Sequence, residues 1–396
     1  MEALILSCGT GGGHNSAGRA VKEELEARGH HAVMIDPYAM YGSRINRYVD
    51  GVYIMLAQKI PHAFEVVYKL GDLYRHLPVR SPVYHVNRAM VKPMLKYLNE
   101  HPADVVIMPH LFPAEIFTAI RRKGYSVPYT IFVGTDYTCI PFTEETDCDA
   151  YVLPAKELKD DYIRRGTAPD RLYPFGIPVS RMFHRRISKT KARKHLRLHV
   201  QKKYILLSGG NIGAGRLQLA VEVLSNYYAE HASVELIVIC AGNQKLFHRL
   251  NRLCRKNVRV LQHTNEMAFY LYACDVFVTK PGGLSSTEAM TAMIPLIHIS
   301  PISGCEVKNA EFFEARGMSI YVRDIPRELP KQTDAVLFSE RGKQLQAMQY
   351  QYRLPNAAEE ICNLAERGVT DQSSQTASRT SDRKSRFRLR NKKYRI

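Results

Sequence analysis

The sequence predicts an α/β protein made of two Rossmann-like domains that face each other across a cleft. Short apolar runs alternate with helical stretches, which indicates parallel sheets with helices on both faces. The pattern stops at a basic stretch near the middle of the chain and then starts again. Glycine-rich turns follow predicted strands in both halves. The length of 396 residues is enough for two domains that each have a core.

The first half begins with a strand, a loop, a helix and a second strand, which is the first unit of a doubly wound sheet. The run ALILS predicts a buried strand, residues 15–28 predict a helix that ends at Gly29, and HAVMIDP predicts the next strand. The same alternation continues to the end of this half. Its later strands are predicted in DVVIMP (104–109), YTIFVG (129–134) and AYVLP (150–154), and its helices over 113–123 and 155–165.

A very basic stretch, RRISKTKARKHLRLHVQKK, shows no strand signal and separates the two halves. The second half then predicts strands in YILLSGG, ELIVICAG, VRVLQ, DVFVTK and PLIHIS, with helices over 216–230, 244–254 and 284–293. We therefore predict a first domain over 1–180, a basic linker over 181–203, a second domain over 204–370, and a basic, disordered tail over 371–396.

The composition indicates a globular chain with a strong positive charge. Apolar residues make up 45% of the chain, and the formal net charge is +18. Such a charge attracts polyanions, either nucleic acid or an anionic membrane surface. The sequence has no nucleic-acid recognition motif, and its basic residues cluster in the linker and the tail, so we expect no nucleic-acid partner. The eight cysteines form no C-x-x-C pair, which predicts free thiols in a reducing compartment.

Three glycine-rich turns are candidate anion sites, because a turn from strand to helix presents backbone N–H groups and the positive end of a helix dipole. In the second of them, Gly209 and Gly210 follow a predicted strand. In the third, Gly282 and Gly283 turn the chain and Ser285 stands in the first turn of the predicted helix, where a diphosphate can bind. The three turns are GTGGGH at 9–14, SGGNIGAG at 208–215 and KPGGLSSTEA at 280–289.

Two carboxylates lie near the third turn. We expect Glu288 in the first turn of the predicted helix, where its carboxylate can accept hydrogen bonds from both hydroxyls of a ribose; complementing the helix dipole is the alternative. Beyond the next strand Gly304 makes a turn, and Glu306 and Asn309 are three residues apart at a helix start. Side chains at this spacing share a helix face and can hold sugar hydroxyls, although a capping role for Glu306 is equally open.

The first glycine turn matches neither common nucleotide-binding motif. A dinucleotide fingerprint that starts at Gly9 needs glycine at position 14, where His14 stands. The P-loop pattern fails at its last glycine and at its lysine. Asp36 ends the second predicted strand, where a ribose-binding acid lies in dinucleotide enzymes, so a nicotinamide-dependent oxidoreductase stays an alternative.

Four segments together resemble a known family. They are similar to the monogalactosyldiacylglycerol synthases and the bacterial processive diacylglycerol glucosyltransferases, which are glycosyltransferase family 28-like. They more distantly resemble the glycosyltransferase that acts on the undecaprenyl-linked peptidoglycan precursor. The resemblance runs from Glu2 to about residue 366. It is carried by GTGGGH at 9–14, TD at 135–136, GIPV at 176–179 and TKPGGLSSTEAMTAMIPLIHISPISGCEVKNAEFFEARG at 279–317.

The resemblance implies a GT-B fold and an inverting glycosyltransferase that requires no metal and no cofactor. UDP-glucose or UDP-galactose would bind to the C-terminal domain, and the acceptor would be diacylglycerol or, alternatively, a polyprenyl-linked cell-wall precursor. The resemblance implies that His14 is the general base and that Glu288 binds the ribose. It implies that Gly282, Gly283 and Ser285 bind the diphosphate. Glu306 and Asn309 would bind the sugar, and backbone groups at Thr264 would bind the uracil.

A histidine behind a row of glycines suits the implied chemistry. An acceptor hydroxyl is a poor nucleophile until its proton is taken, and an imidazole with a pKa near 6.5 can take it at neutral pH. Gly11, Gly12 and Gly13 let the backbone approach a sugar diphosphate without Cβ atoms. We expect Asp136, at a strand end, to orient the imidazole. A structural hydrogen bond at a helix start is the alternative for His14.

Three features differ from the family or from metal-dependent glycosyltransferases. The family commonly has Gln where this chain has Cys305, and a thiol cannot replace the donors and acceptors of an amide, so the transferred sugar stays open. The His and Trp that follow TD in the family are replaced by YTCIPF at 137–142, which leaves the acceptor open. A D-x-D motif at 147–149 precedes a strand instead of following one, so we interpret it as a solvated loop.

Two segments predict contact with an anionic membrane surface. Residues 38–97 are rich in tyrosine, arginine and lysine, as in helices that lie in a membrane interface; a core helix with a basic face is the alternative. The tail adds eight basic residues from Arg383 to Arg395, and basic residues attract anionic leaflets. No transmembrane run or signal peptide is apparent, so we expect a cytoplasmic protein on the inner face of the cell membrane.

Overall fold

A computed structural model describes residues 1–8, 12–41, 80–210, 216–253, 255–301 and 304–392, with the backbone alone for residues 41 and 375–392. The first half contains one six-stranded parallel sheet. Its strands are β1 (Glu2–Leu6), β2 (His31–Ile35), β3 (Val105–Met108), β4 (Tyr129–Val133), β5 (Ala150–Val152) and β6 (Leu172–Tyr173), and its helices are α1 (Gly12–Ala27), α2 (Pro82–Arg88), α3 (Val91–Glu100), α4 (Leu111–Arg122) and α5 (Lys159–Arg164).

The second half contains another six-stranded parallel sheet and the remaining helices. Its strands are β7 (Lys203–Ser208), β8 (Val234–Ile239), β9 (Val258–Leu261), β10 (Val276–Thr279), β11 (Leu296–Ile299) and β12 (Ile320–Val322). The helices from the crossover onward are α6 (Lys189–His195), α7 (Leu217–Tyr227), α8 (Gln244–Arg252), α9 (Met267–Ala273), α10 (Gly283–Ala292), α11 (Cys305–Ala315), α12 (Ile325–Phe338), α13 (Arg341–Tyr352) and α14 (Ala357–Lys392).

Short 3₁₀ helices occupy some of the connections. They lie at Pro37–Tyr41, Thr143–Glu145, Lys156–Leu158, Pro169–Arg171 and Arg181–His184.

The strands are continuous apolar runs because both faces of each sheet are covered by helices. VVIM of β3 and VFVT of β10, for example, are buried over their whole length. The strand order is β2-β1-β3-β4-β5-β6 in the first sheet and β12-β11-β10-β7-β8-β9 in the second. The order reverses between β1 and β3 and again between β7 and β10. Open parallel sheets bind ligands at the carboxyl ends of the strands beside such a reversal, which is a topological switch point.

The two halves share part of their core. One apolar cluster contains buried side chains of the first half, such as Cys8 and Tyr137, together with Leu284 and Phe313 of the second half. The N-terminal part of α1 packs against α10 across the interface. The predicted arrangement of two Rossmann-like halves facing each other is therefore confirmed.

The chain crosses between the halves twice, and both crossings differ from the predicted organisation. Much of the predicted linker belongs to the second half, because α6 packs against α9 and the buried Arg193 forms an ion pair with Asp275 (2.8 Å). The last helix, α14, returns to the first half, where Ile361 and Cys362 pack under the first sheet. The same helix continues to Lys392, through residues for which the sequence predicts disorder.

Most of the segment predicted to contact a membrane, residues 42–79, lies outside the described residues, as do Gly11 and residues 393–396. Among the helices that the structure describes, none combines the length and the apolar character needed to cross a bilayer. Two short strands, β6 and β12, have no counterpart in the sequence prediction, because strands of two or three residues give too little periodicity.

The return of α14 to the first half generates a stability prediction. Ile361 is fully buried under the first sheet, so Ile361→Ala should leave a cavity and lower the free energy of unfolding by about 2–5 kcal/mol. Ile163→Ala is the matched control, because Ile163 is 39% exposed on α5. Chemical denaturation measures both variants. Equal unfolding midpoints would show that α14 does not pack on this sheet.

Candidate functional site

His14 lies at the switch point of the first sheet, in the first turn of α1. Its Nδ1 is 2.8 Å from the carbonyl oxygen of Pro109, which follows β3. The same Nδ1 is 2.8 Å from Oγ1 of Thr135, which follows β4. The ring of His110 meets the His14 ring edge-on at a centroid distance of 4.6 Å. The segments that follow β3 and β4 therefore fix the orientation of this imidazole.

These contacts decide which imidazole nitrogen carries the proton. A backbone carbonyl can only accept, so the Nδ1–H of His14 donates to Pro109 and shares its proton with the Thr135 hydroxyl oxygen. Nε2 then keeps its lone pair, and within the described part of the chain it forms no hydrogen bond. Burial lowers the pKa of His14, although the charge of Asp136 opposes this shift. A neutral imidazole with an available Nε2 is the state that a general base needs.

The expected orienting hydrogen bond from Asp136 to His14 is corrected by the structure. Oδ1 of Asp136 accepts a hydrogen bond from Nδ2 of Asn309 at 2.8 Å, and the imidazole is oriented by Pro109 and Thr135. Asp136 acts on His14 through its charge alone. The sequence could not reveal this pairing, because Asp136 and Asn309 belong to different halves and meet only when the halves pack.

The starts of α1 and α10 meet across the interface between the halves. A Cβ built on Gly13 lies 3.5 Å from Cβ of Leu284, which is an ordinary contact. A Cβ built on Gly283 lies only 1.9 Å from the carbonyl oxygen of Thr135, so position 283 accepts no side chain in this arrangement. Gly12 and Gly13 begin α1. The start of α1, which carries His14, therefore lies directly beside the turn that precedes α10.

The switch point of the second sheet presents unpaired backbone N–H groups. Gly282 is the N-cap of α10, and the first hydrogen bond of this helix runs from the N–H of Ser286 to the carbonyl of Gly282 at 3.0 Å. The N–H groups of Gly283, Leu284 and Ser285 therefore have no partner inside the helix. They lie at the positive end of the helix dipole, which is a binding site for an anion such as a diphosphate.

Two hydroxyls that follow this turn are used inside the protein. Oγ of Ser286 is 2.9 Å from Nε2 of the buried His298, and Thr287 donates to the carbonyl of Gly283 at 2.8 Å. Ser285 is half-buried in the same turn. Its assignment to the diphosphate stays a prediction.

Lys280 is a candidate site residue that the sequence argument missed. Its Cε lies 2.8 Å from a Cβ built on Gly210, and its Nζ lies 3.7 Å from one built on Gly282. The ammonium group therefore stands between the turns that follow β7 and β10, where it forms an ion pair with Glu306. Gly210 has a φ of +70° and Gly209 is buried beside it. The sequence feature that could have identified Lys280 is its position directly before the Pro-Gly-Gly turn.

Glu288 is the sixth residue of α10, so it lies beyond the first turn of the helix. Burial raises the pKa of its carboxyl to about 8, and the charge of Arg19 on α1 opposes this rise. A carboxylate that complemented the helix dipole would have a lowered pKa. The dipole alternative is therefore disfavoured, and the ribose assignment stays a prediction.

Asn309 corrects another expectation. Its side chain is fully buried, donates to the carbonyl of Pro281 at 3.0 Å and to Asp136, and accepts from the backbone N–H of Tyr137 at 2.6 Å. An amide has two N–H donors and one oxygen, and all of them are bonded within the protein. Asn309 therefore connects the halves instead of facing a sugar.

The other predicted donor residues lie around the second switch point or at the edge of its sheet. Gly304, with a φ of +85°, is the N-cap of α11, and Glu306 is held in the first turn of that helix by Lys280. Cys305 is half-buried between them. Thr264 follows the edge strand β9, and its Oγ1 accepts from the N–H of Glu266 at 3.0 Å. The sugar role of Glu306 and the uracil role of Thr264 stay predictions.

The D-x-D motif is a paired structural loop and not the solvated loop that the sequence predicts. Oδ2 of Asp149 accepts from the Arg121 guanidinium at 2.6 Å and from the N–H of Thr130 at 2.9 Å. Asp147 accepts from Arg171 at 2.8 Å. Both carboxylates thus tie the loop to neighbouring elements. Within the described residues, no group of three or more His, Cys, Asp or Glu side chains is placed to hold a metal ion.

Comparison with known sequences gives a family and named relatives. Residues 14–179 match the family model for monogalactosyldiacylglycerol (MGDG) synthase. A processive diacylglycerol β-glucosyltransferase of Staphylococcus saprophyticus is 32% identical over 230 residues, which are 56% of each chain. The enzyme of that name from Bacillus licheniformis is 25% identical over 322 residues, which are 81% of this chain and 82% of the relative. The chain thus spans about half the length of one relative and four fifths of the other.

Comparison with solved structures gives the fold. MurG of Acinetobacter baumannii superimposes with a TM-score of 0.59 at 15% identity, over 92% of this chain and 99% of that one. UDP-GlcNAc 2-epimerase of Neisseria meningitidis, bound to UDP-GlcNAc, superimposes with a TM-score of 0.58 at 11% identity, over 92% and 99%. Both superpositions extend over the two halves. The fold is GT-B, as the resemblance implies.

The contacts of His14 generate a prediction that needs no substrate. Nuclear magnetic resonance of histidine-labelled protein should show His14 as the Nδ1–H tautomer with a pKa below its usual 6.5. Asp136→Asn should lower this pKa further, because the carboxylate charge stabilises the imidazolium. Asp170→Asn, at an exposed site on the first half, is the control. An Nε2–H tautomer, or an unchanged pKa in Asp136→Asn, would contradict this geometry.

Proposed function

Because this chain is a relative of the monogalactosyldiacylglycerol synthases and the processive diacylglycerol β-glucosyltransferases, we propose that it is a glycosyltransferase that forms a glycolipid. It moves a hexose from a UDP-sugar, UDP-glucose or UDP-galactose, to the hydroxyl of diacylglycerol. The observation that carries this proposal is the neutral His14 with an available Nε2, next to Gly13, where the starts of α1 and α10 meet.

The second half binds the donor in this proposal. The N–H groups at the start of α10 donate hydrogen bonds to the diphosphate, and Glu288 accepts hydrogen bonds from the ribose. A protein of the same fold, the Neisseria meningitidis epimerase, holds UDP-GlcNAc. Lys280 and Glu306 stand between the two glycine turns, where the diphosphate and the sugar meet.

The transfer is a single displacement with inversion at the anomeric carbon. Nε2 of His14 takes the proton of the acceptor hydroxyl as the new bond from oxygen to C1 of the sugar forms. The bond between C1 and the β-phosphate oxygen breaks, and its electron pair leaves with UDP. The imidazolium then loses its proton to solvent. The nearby carboxylate of Asp136 stabilises the imidazolium while it exists.

The leaving UDP gains negative charge in this step. The positive end of the α10 dipole and the ammonium of Lys280 are preorganised around the place where that charge develops. Glu306 holds Lys280 in position by an ion pair before the donor binds. These groups supply the electrostatic stabilisation without a metal ion or a cofactor in the proposed mechanism.

The acceptor reaches the enzyme from a membrane surface. Arg80 and the two helices that follow it expose four basic side chains and one large apolar residue, Val86. Exposed basic side chains are attracted to an anionic leaflet, which matches a lipid acceptor. The proposed place of action is the inner face of the cell membrane. The four exposed basic residues are Arg80, Arg88, Lys92 and Lys96.

The direct test is incubation with a panel of UDP-sugars and diacylglycerol-containing vesicles, followed by mass spectrometry of the lipids. His14→Ala should lower kcat about 10²–10⁴-fold and leave the Kd of the UDP-sugar unchanged, because only proton transfer is lost. His231→Ala, an exposed histidine on the second half, is the control. An unaltered kcat in His14→Ala would reject the assignment of His14 as the general base.

The same panel separates the alternatives. Chelator should leave turnover unchanged if no metal takes part. Transfer to a polyprenyl-linked precursor alone would replace the diacylglycerol proposal. The nicotinamide alternative predicts binding of NAD instead of UDP. Asp36, which would bind the ribose in that alternative, accepts a hydrogen bond from the backbone N–H of Tyr38 at 2.9 Å.

The raised pKa of Glu288 gives a pH dependence for donor binding. The ribose hydroxyls donate to the carboxylate form, and a pKa of about 8 leaves that form the minority at pH 7. The affinity for a UDP-sugar should therefore rise about tenfold between pH 7 and pH 9. Calorimetry measures this affinity. Glu288→Gln should bind more weakly and without this dependence, whereas the exposed Glu340→Gln should behave as the parent. If the affinity of the parent for the UDP-sugar does not change with pH, the proposed contact between Glu288 and the ribose is rejected.

A further inference from the structure

Three consecutive residues after β4 carry contacts from the base to the second half. Thr135 contacts Nδ1 of His14 through its hydroxyl and Gly283 through its carbonyl oxygen. Asp136 accepts from Asn309 at 2.8 Å. Tyr137, the third residue, donates its backbone N–H to Asn309 at 2.6 Å. The segment that orients the imidazole is thus the segment that binds the other half.

Tyr137 extends these contacts with its side chain. Its hydroxyl donates to Oγ1 of Thr287 at 2.8 Å, because Thr287 uses its own proton on the carbonyl of Gly283. Its ring packs on Phe312 and Phe313 at centroid distances of 4.9 and 4.8 Å. The tyrosine is only 4% exposed. Buried polar contacts with partners on both sides specify one arrangement of the halves.

Asn309 is the centre of this contact set. It is fully buried, and it joins Asp136 and Tyr137 of the first half to the Pro281 carbonyl in the turn before α10. The turn that offers N–H groups to the diphosphate and the carboxylate beside the base therefore depend on one amide. Replacing the Asn309 amide therefore changes the position of the turn and that of the Asp136 carboxylate at the same time.

We infer that Thr135, Asp136 and Tyr137 with Gly283, Thr287 and Asn309 form an interdomain clamp, in which Asn309 is a positioning residue for the general base. The clamp fixes the position of Nε2 of His14 relative to the turn that precedes α10. It also fixes the distance between the Asp136 carboxylate and the imidazole. This inference rests on the proposed role of His14. It adds a role for Asn309 and Tyr137, which contact neither the proton nor the leaving group.

A swap of the paired side chains tests the clamp. Asn309→Asp places a second carboxylate against Asp136 and removes the donor to Pro281, whereas Asp136→Asn removes the charge near His14. The double variant Asp136→Asn with Asn309→Asp restores one amide–carboxylate hydrogen bond with the roles exchanged. Asn257→Asp is the matched control, because Asn257 donates to the Ser225 carbonyl at 3.1 Å.

Asn309→Asp should lower kcat by about 10–100-fold with little change in the Kd of the UDP-sugar. Asp136→Asn should move the acidic limb of the kcat–pH profile to lower pH, because His14 loses the charge that stabilises its protonated form. Among the described residues, His110 is the other titratable group that interacts with His14. The double variant should have a kcat at least about fivefold above the product of the single effects. The control variant Asn257→Asp should keep the kcat and the kcat–pH profile of the parent.

Two further measurements keep the test decisive. Tyr137→Phe keeps the ring packing and loses only the bond to Thr287, so it should fold and should lower kcat severalfold even if Asn309→Asp does not fold. Resonances of His14 in Tyr137→Phe and Asn309→Asp need no substrate and should shift from those of the parent. A shift without glycolipid synthesis by the parent would support the clamp and reject the proposed function.

Three results would overturn the clamp. The first is a parent-like kcat and His14 signal in both Asn309→Asp and Tyr137→Phe. The second is a loss of UDP-sugar affinity that accounts for the whole effect of Asn309→Asp, which would make Asn309 a donor ligand. The third is a loss of thermal stability with unaltered kcat per folded molecule, which would make the contact structural only.

Discussion

The contact between Gly283 and the carbonyl oxygen of Thr135 sets the distance between the two halves. A Cβ at position 283 would lie 1.9 Å from that oxygen, so any side chain would push the halves apart. Thr135 also holds the imidazole of His14, and Gly283 begins the helix whose N–H groups face the cleft. One close backbone approach thus places a proton acceptor beside an anion site.

The charges around this contact are balanced in a way that suits a desolvated site. His14 is neutral because its burial outweighs the attraction of Asp136, and Glu288 has a raised pKa because burial outweighs the attraction of Arg19. Lys280 is compensated by Glu306. An unpaired buried charge is costly, so a site awaiting an anionic ligand is stable when its own ions are paired or neutral. In the proposed reaction, the ammonium and the helix dipole can then stabilise the bound diphosphate.

The rest of the fold supports the same arrangement. The shared apolar cluster and the hydrogen bonds of Asn309 join the halves near His14, and α14 returns from the second half to cover the first sheet. The two switch points consequently face each other in the described structure. Parallel strands end at the same edge of a sheet, so each half delivers all of its functional turns to the cleft.

The sequence by itself determined the two sheets, most of their strands and the turns that hold the site. Alternating apolar runs and strand–glycine–helix junctions are local patterns, so His14, Gly282 and Gly283 could be found from a few neighbouring residues. The return of α14 could not, because the sheet that this helix covers is distant from it in the chain.

Only the tertiary structure decided the partners within the site. The pairing of Asp136 with Asn309, of Lys280 with Glu306, and of the D-x-D carboxylates with arginines joins residues that no spacing rule connects. The protonation of His14 and Glu288 was likewise decided by packing, because burial and nearby charges set a pKa and neither is written in local sequence. Residue types fix what chemistry is possible, and the packing of the two halves fixes which groups meet to perform it.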